Sequence, residues 1–245
     1  MSNSTFINNF ATGYGGGICW RGANGTVTDS IFINNIANSS GAGVYWNAAN
    51  GTLSSSKFNS NNAINNDGGG IDWYGTNGTV TDSTFINNTA VYGGGIGWGG
   101  PNGIVSGCSF INNTSNRSGG GVDWWSTNGI ISDCSFTSNT ANYRGGGIFW
   151  TSTALNSMIF SSIFNNNIAK INGGAIYWDV ISSIANCSFI NSRSEKINGI
   201  YATKDLNING GNGLTYIFAN NTLSGISIVV LNNETYYYPP NTNII

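Results

Sequence analysis

Phenylalanine recurs along this chain at an almost fixed interval of 25 to 28 residues. The recurring residues are Phe6, Phe32, Phe58, Phe85, Phe110, Phe136, Phe164 and Phe189. Tryptophan follows the same rhythm, at Trp20, Trp46, Trp73, Trp98, Trp124, Trp150 and Trp178. Self-similarity at a fixed period of this size indicates a solenoid, in which each repeat forms one coil that stacks on the next.

The composition of one repeat predicts strands and turns. The copy at 68–88 reads Gly-Gly-Gly-Ile-Asp-Trp, then an Asn-Gly turn, then Thr-Val-Thr-Asp and Ser-Thr-Phe-Ile-Asn-Asn. Glycines and β-branched residues that alternate with polar ones are typical of short strands. A unit of about 26 residues is too short for a propeller blade of about 40–45 residues, but it fits three short strands and three turns. We therefore predict an all-β, right-handed parallel β-helix of about eight coils.

Side-chain direction follows from the two-residue period of a strand. Ile71 and Trp73 share one face, and the position between them varies from coil to coil. Across the coils it holds Cys19, Tyr45, Asp72, Gly97, Asp123, Phe149 and Tyr177. Because this position accepts Asp, Gly and Phe, we predict that it faces solvent and that Ile, Trp and Phe face inward. In the alternative arrangement, the tryptophans face outward as a strip suited to sugar rings.

Two further positions have structural interpretations. Cys108, Cys134 and Cys187 occupy a slot that holds serine in other coils, two residues before each Phe, which predicts buried free thiols. Cys19 instead stands at the outward position. The asparagine three residues after each Phe recurs in seven coils, so we predict a ladder of stacked amides.

The rhythm stops near Gly199, so we divide the chain into a β-helix at 1–198 and a C-terminal β segment at 199–245. The second part reads as strand, turn and strand. Either it caps the open end of the solenoid, or it begins an immunoglobulin-like module. The chain starts inside a repeat and shows no signal peptide, so we expect it to be a segment of a longer exported protein.

The paired motifs F-x-x-N and G-G-x-I resemble the repeats of chlamydial polymorphic outer-membrane proteins, and equally the adhesin-like surface proteins of methanogenic archaea. The best copies are Phe85-Ile86-Asn87-Asn88 with Gly93-Gly94-Gly95-Ile96, and Phe164-Asn165-Asn166-Asn167 with Gly173-Gly174-Ala175-Ile176. The resemblance covers roughly residues 1–200. It implies an exported, surface-displayed protein with a role in adhesion. This chain departs from the pattern by carrying a Trp after almost every G-G-x-I.

The reactive residue types in the sequence favour a protein that is not an enzyme. Charged residues are only 7% of the chain, with 8 basic against 10 acidic, and histidine is absent. We find no catalytic set, cofactor motif or metal-ligand spacing, and the small net charge gives no reason to expect nucleic acid as a partner. Asp72 and Asp123 are two coils apart, about 9.6 Å at the backbone, so they cannot share Ca²⁺ unless loops contribute. A polysaccharide lyase or hydrolase is the alternative.

A binding role rests on the variable outward position and its neighbours. This set mixes aromatic faces with carboxylates on a rigid scaffold, a combination typical of interaction surfaces. The candidate contact residues are Tyr45, Asp72, Tyr74, Asp123, Trp125, Phe149 and Tyr177. We expect glycans or surface proteins of another cell as partners. We also expect no membrane span within this segment and a location at the cell surface.

Overall fold

The computed structural model describes residues 1–151, 153–179, 183–194, 200–202, 221–224, 227–231, 234–238 and 243–244. The chain winds as a parallel β-helix, as predicted, but each coil contributes four strands instead of the predicted three. The fourth is a two-residue strand between the F-x-x-N motif and the glycines. Sequence patterns miss it because two residues are too few to show alternation.

We name the four sheets by a residue that characterises them. The Phe sheet contains Thr5–Ile7, Ile31–Ile33, Lys57–Asn59, Thr84–Ile86, Ser109–Ile111, Ser135–Thr137, Ile163–Asn165 and Ser188–Ile190. The short sheet contains Phe10–Ala11, Ile36–Ala37, Asn62–Ala63, Thr89–Ala90, Thr114–Ser115, Thr140–Ala141, Ile168–Ala169 and Arg193–Ser194. The Trp sheet contains Ile18–Trp20, Val44–Trp46, Ile71–Trp73, Ile96–Trp98, Val122–Trp124, Ile148–Trp150 and Ile176–Trp178. The Val sheet contains Thr26–Thr28, Thr52–Ser54, Thr79–Thr81, Ile104–Ser106, Ile130–Ser132, Met158–Phe160 and Ser183–Ala185.

Aromatic stacks fill the interior. Neighbouring strands pair in parallel and in register, so that Phe lies on Phe and Trp lies on Trp. The ring centroids of Phe85 and Phe110 are 4.9 Å apart, and those of Trp98 and Trp124 are 4.7 Å apart, with the planes nearly parallel. Six stacked tryptophans of the Trp sheet are fully buried, which confirms the inward prediction and excludes the outward strip for these coils: Trp46, Trp73, Trp98, Trp124, Trp150 and Trp178.

The asparagine ladder is also confirmed. Asn88 accepts hydrogen bonds at Oδ1 from the backbone nitrogen and from Nδ2 of Asn61. Its own Nδ2 donates to Oδ1 of Asn113 and to the carbonyl of Phe58. The same pattern runs from Asn9 to Asn167, where Ser192 Oγ takes over as the acceptor. Each buried amide is thereby satisfied by the neighbouring coils.

The small slot before each Phe points inward, as predicted. Ser83 donates to the carbonyl of Thr81, and the thiol of Cys108 contacts the carbonyl of Ser106 in the same way. Cys108, Cys134 and Cys187 are buried free thiols, and Cys19 is exposed. Burial raises the pKa of Cys187 to about 12, so this group is a neutral thiol at physiological pH.

The glycine triplet makes a tight turn that side chains would block. Gly68 has φ +66, a region that residues with a Cβ rarely adopt. A Cβ on Gly69 would lie 2.4 Å from the carbonyl oxygen of Gly94, and one on Gly70 would lie 2.8 Å from the ring of Phe85. The triplet therefore brings the chain close to the next coil and to the Phe stack at the same place.

Several described strands of the C-terminal segment extend the sheets. Ile200–Ala202 pairs in parallel with the last strand of the Trp sheet, and Asn221–Ser224 pairs in parallel with the last strand of the Phe sheet. Ser227–Leu231 joins the Trp sheet and forms an antiparallel pair with Glu234–Tyr238. Asn243–Ile244 pairs antiparallel with Asn221–Ser224. The choice between a cap and the start of a further module stays open.

Candidate functional site

A row of residues from the loops covers the outer face of the Trp sheet. We call it the cover row, and each member immediately precedes the first glycine of a triplet. The row consists of Tyr14, Ser40, Asp67, Tyr92, Ser118, Arg144 and Asn172. The glycine that follows lies directly on the strand: a Cβ on Gly68 would fall 2.1 Å from the carbonyl oxygen of Ile71. The chain thus doubles back over the outside of its own coil.

This cover overturns the prediction that the position before each Trp faces solvent. Asp72 is 0% exposed and Asp123 is 4% exposed, and Tyr45 and Tyr177 are buried as well. Phe149 is half-buried. Variation in residue type at this position is therefore not a sign of contact with water in these coils, although Cys19 in the first coil is exposed.

Three cover residues pack on the outward residue of the following coil: Tyr14, Asp67 and Arg144. The rings of Tyr14 and Tyr45 are 4.5 Å apart, and the Arg144 guanidinium lies 4.7 Å from the ring centre of Tyr177. A Cβ on Gly97 would lie 3.0 Å from the Cβ of Asp67. Asp67 therefore occupies the space that a side chain at position 97 would need.

Four aromatic side chains form a continuous series of ring contacts, which we call the aromatic row; three of them reach the surface and Tyr45 is buried. It runs along the solenoid axis through Tyr14, Tyr45, Tyr74 and Trp125. Successive ring centroids are 4.5, 5.9 and 5.8 Å apart. Trp125 reaches Tyr74 across Gly99, which has no side chain in the intervening coil. Tyr74 is 38% exposed, Trp125 is half-buried and Tyr14 is exposed.

The structure thus brings together three of the candidate contact residues, Tyr45, Tyr74 and Trp125, and adds Tyr14, which sequence reasoning missed. Phe149 and Tyr177 form a separate pair, 5.1 Å apart. Arg144 stacks on Tyr177 and also on Tyr143, at 4.5 Å from its ring centre. The aromatic candidate residues therefore fall into two patches along the solenoid axis. The aromatic row contains more rings than the patch of Phe149 and Tyr177.

The two candidate aspartates lie under the cover row, where the hydroxyl of Ser40 is near enough to Asp72 to lower its pKa in part. Neither carboxylate oxygen of Asp72 has a hydrogen-bond partner, and Oδ1 of Asp123 has none. Burial raises the pKa of Asp72 well above its usual range, and the carboxyl of Asp67 raises it further. The same two causes raise the pKa of Asp123. Burial also raises the pKa of Asp67, to about 6.

The family description "Right handed beta helix region" matches residues 16–189, more than half of the chain. The chain belongs to the right-handed β-helix family. In this right-handed β-helix, residues 3–19 also match the repeat described for the Chlamydia polymorphic membrane protein. That match supports the resemblance to polymorphic membrane proteins, whereas the resemblance to methanogen surface proteins stays an expectation. No curated protein and no solved structure matches the chain significantly.

Two searches of the described residues bear on membrane and metal chemistry. Among those residues, no helix is long and apolar enough to cross a bilayer. In the same part of the chain, no three side chains of His, Cys, Asp or Glu lie together as a ready-made metal centre.

Proposed function

We propose that this chain is an adhesin-like surface segment, whose aromatic row contacts glycans or surface proteins of another cell. The aromatic row is the observation that carries the proposal. Rings that present their faces and edges along a rigid solenoid suit sugar rings and apolar protein patches, and such residues dominate many interfaces. The polymorphic membrane protein repeat at residues 3–19 supports a location on the cell surface.

The scaffold favours this role because it holds the rings in place before any partner arrives. Tyr45 lies in a strand paired on both sides, and Trp125 follows the strand that ends at Trp124. A surface that is ordered in advance loses little conformational entropy when it binds, so modest contacts yield useful affinity. Many such segments on one cell would add their contacts through multivalency.

The test compares two aromatic patches on the same molecule. Tyr74→Ala and Trp125→Ala should weaken binding to an immobilised glycan array or to cultured cells by about fivefold or more each, the effect of losing a hot-spot side chain. Tyr143→Ala is the matched control, because Tyr143 is 41% exposed, close to the 38% of Tyr74, but lies outside the row. Equal loss in all three variants, or no binding by the unmodified chain, would refute the proposal.

We also propose that the segment has no catalytic activity on polysaccharides. The two carboxylates that a lyase or hydrolase would use, Asp72 and Asp123, lie under the cover row, where a polymer cannot reach them. Incubation with pectin or alginate should therefore release no new reducing or unsaturated ends. Product formation that disappears in Asp72→Asn would establish the enzyme instead.

A further inference from the structure

A cleft lies on the outer face of the short sheet, and we call it the short-sheet cleft. Three consecutive strands contribute to it: Thr140–Ala141, Ile168–Ala169 and Arg193–Ser194. Asn142 and Lys170, which follow the first two of these strands, complete its described lining. The cleft has a volume of about 350 Å³, and small-molecule sites commonly occupy about 300–1,000 Å³. It is therefore large enough for a small ligand.

Strand register decides which side chains reach the cleft. Thr140, Ile168 and Arg193 are paired across neighbouring strands, so they point to the same side of the sheet. The residues that follow the first two, Ala141 and Ala169, are buried. Successive side chains of a strand point to opposite faces, so Thr140, Ile168 and Arg193 point away from the core and into the cleft.

Two cations flank Ile168 in this cleft. Arg193 is its partner on the neighbouring strand, about 4.8 Å away at the backbone, and Lys170 lies two residues further along the chain, about 6.6 Å away. Both cations are exposed, and long side chains span such distances, so both can reach one group above Ile168. The described lining of the cleft contains no Asp or Glu that would pair with them. An anionic ligand therefore has the complementary charge.

The uncharged part of the lining suits a ligand that carries both hydroxyl groups and an apolar face. The backbone nitrogen of Lys170 donates to the carbonyl of Ala141 at 2.9 Å, so these floor groups are engaged in the sheet and side chains must recognise the ligand. The hydroxyl of Thr140 and the amide of Asn142 can each donate and accept hydrogen bonds. The side chain of Ile168 and the methyl group of Thr140 present an apolar surface. A sugar ring has both kinds of group.

We propose that the short-sheet cleft binds an acidic saccharide, with its carboxylate or sulfate group between Lys170 and Arg193 and its ring over Ile168. Arginine binds an oxyanion through parallel hydrogen bonds, and lysine adds a point charge. A long polyanion such as a nucleic acid fits less well, because its affinity comes from many phosphate contacts and this chain has only 8 basic against 10 acidic residues. The described lining also lacks an aromatic ring on which a base would stack.

Isothermal titration calorimetry of the full chain tests the proposal with three small probes: methyl glucuronide, glucose 6-sulfate and the neutral methyl glucoside. At least one acidic probe should bind about tenfold more tightly than methyl glucoside, since two exposed charge contacts add their contributions. Raising the NaCl concentration from about 0.05 M to about 0.5 M should reduce this preference, because salt screens exposed charges. Binding of methyl glucuronide alone assigns a carboxylated sugar, and binding of glucose 6-sulfate alone assigns a sulfated one.

Four variants locate the binding site. Lys170→Gln and Arg193→Gln should each weaken binding of the acidic probe by about three- to fivefold, the effect of one exposed charge contact. Lys57→Gln is the matched control, because it removes the same charge from an exposed position on the Phe sheet, and it should leave the affinity unchanged. Thr140→Tyr fills the cleft without changing its charge and should weaken binding by about tenfold or more. The far-ultraviolet spectrum of each variant establishes that the β-helix has folded.

The proposal is overturned if neither acidic probe binds, or if methyl glucoside binds as tightly as they do. It is also overturned if inorganic sulfate binds as tightly as the sulfated sugar, or if folded Lys170→Gln and Thr140→Tyr bind like the unmodified chain. The cleft lies on the short sheet and the aromatic row on the Trp sheet, so Tyr74→Ala and Trp125→Ala should bind the acidic probe normally. The result therefore stands apart from the adhesion test.

Discussion

At the scale of single residues, the strand decides whether a side chain points into the core or away from it, and the loops decide whether water reaches it. The inward direction of Phe85 and Trp73, and the buried slot of Cys108, follow from strand periodicity and are confirmed. The predicted exposure of Asp72 is wrong. Strand alternation shows which side chains point away from the core, but it does not show whether a loop covers them. That cover is made by a residue from the preceding coil.

The buried carboxyl of Asp72 makes a definite pH prediction. An unfolded Asp loses its proton near pH 3.9, whereas burial raises the folded pKa. Between these values the folded state binds more protons, so the free energy of unfolding falls as pH rises. Urea denaturation should therefore find the chain more stable at pH 5 than at pH 7.

Asp72→Asn should reduce this dependence of the free energy of unfolding on pH, and it should be at least as stable as the unmodified chain at pH 7. The asparagine cannot ionise, so it carries no charge into the interior. Asp67 and Asp123 retain part of the slope, because burial raises the pKa of both. A free energy of unfolding that rises from pH 5 to pH 7, with Asp72→Asn the less stable protein, would contradict the prediction.

At the scale of elements, the sequence predicts contacts between residues at the same position of neighbouring repeats. It does not predict contacts between residues at different positions of the repeat. The asparagine ladder joins residues about 26 apart, so the period of the sequence reveals it. The cover contacts join Tyr14 to Tyr45, Asp67 to Gly97 and Arg144 to Tyr177, at separations of 30 to 33 residues. These residues do not repeat, and complementary size is their only signal: Asp67 is present where Gly97 leaves space.

The asparagine ladder predicts that removing a buried amide side chain lowers the free energy of unfolding more than removing an exposed one. Asn88→Ala removes two donated and two accepted hydrogen bonds, and it leaves the backbone nitrogen of Asn61 and one hydrogen of its Nδ2 without an acceptor. The free energy of unfolding should fall by about 2–4 kcal/mol, as expected for buried groups left unsatisfied. Asn116→Ala, at an exposed loop position, is the control and should change it by less than about 0.5 kcal/mol. Equal losses would show that the ladder adds no stability.

At the scale of the whole molecule, the sequence predicts a stack of coils but not the function of its surface. Period and motif establish the β-helix because every coil repeats the same core. The aromatic row and the contacts of the cover row depend instead on what differs between coils: Gly97 and Gly99 are small at the places where Asp67 and Trp125 pack. Function in a solenoid is thus carried by departures from the repeat, which periodicity averages away.

The stacking of coils also predicts that the loss of stability caused by a core substitution depends on its position along the solenoid axis. Phe110 lies between the rings of Phe85 and Phe136, at 4.9 and 4.7 Å, whereas Phe6, within the described part of the chain, stacks on Phe32 alone and is partly exposed. Phe110→Ala should lower the free energy of unfolding by about 3–5 kcal/mol, through a cavity that both neighbours line. Phe6→Ala should cost about half as much or less, since one interface is affected and the end coil can relax. Urea denaturation of both variants measures the difference. Equal costs would mean that the coils do not act as nearest-neighbour units and that the stack unfolds without regard to position.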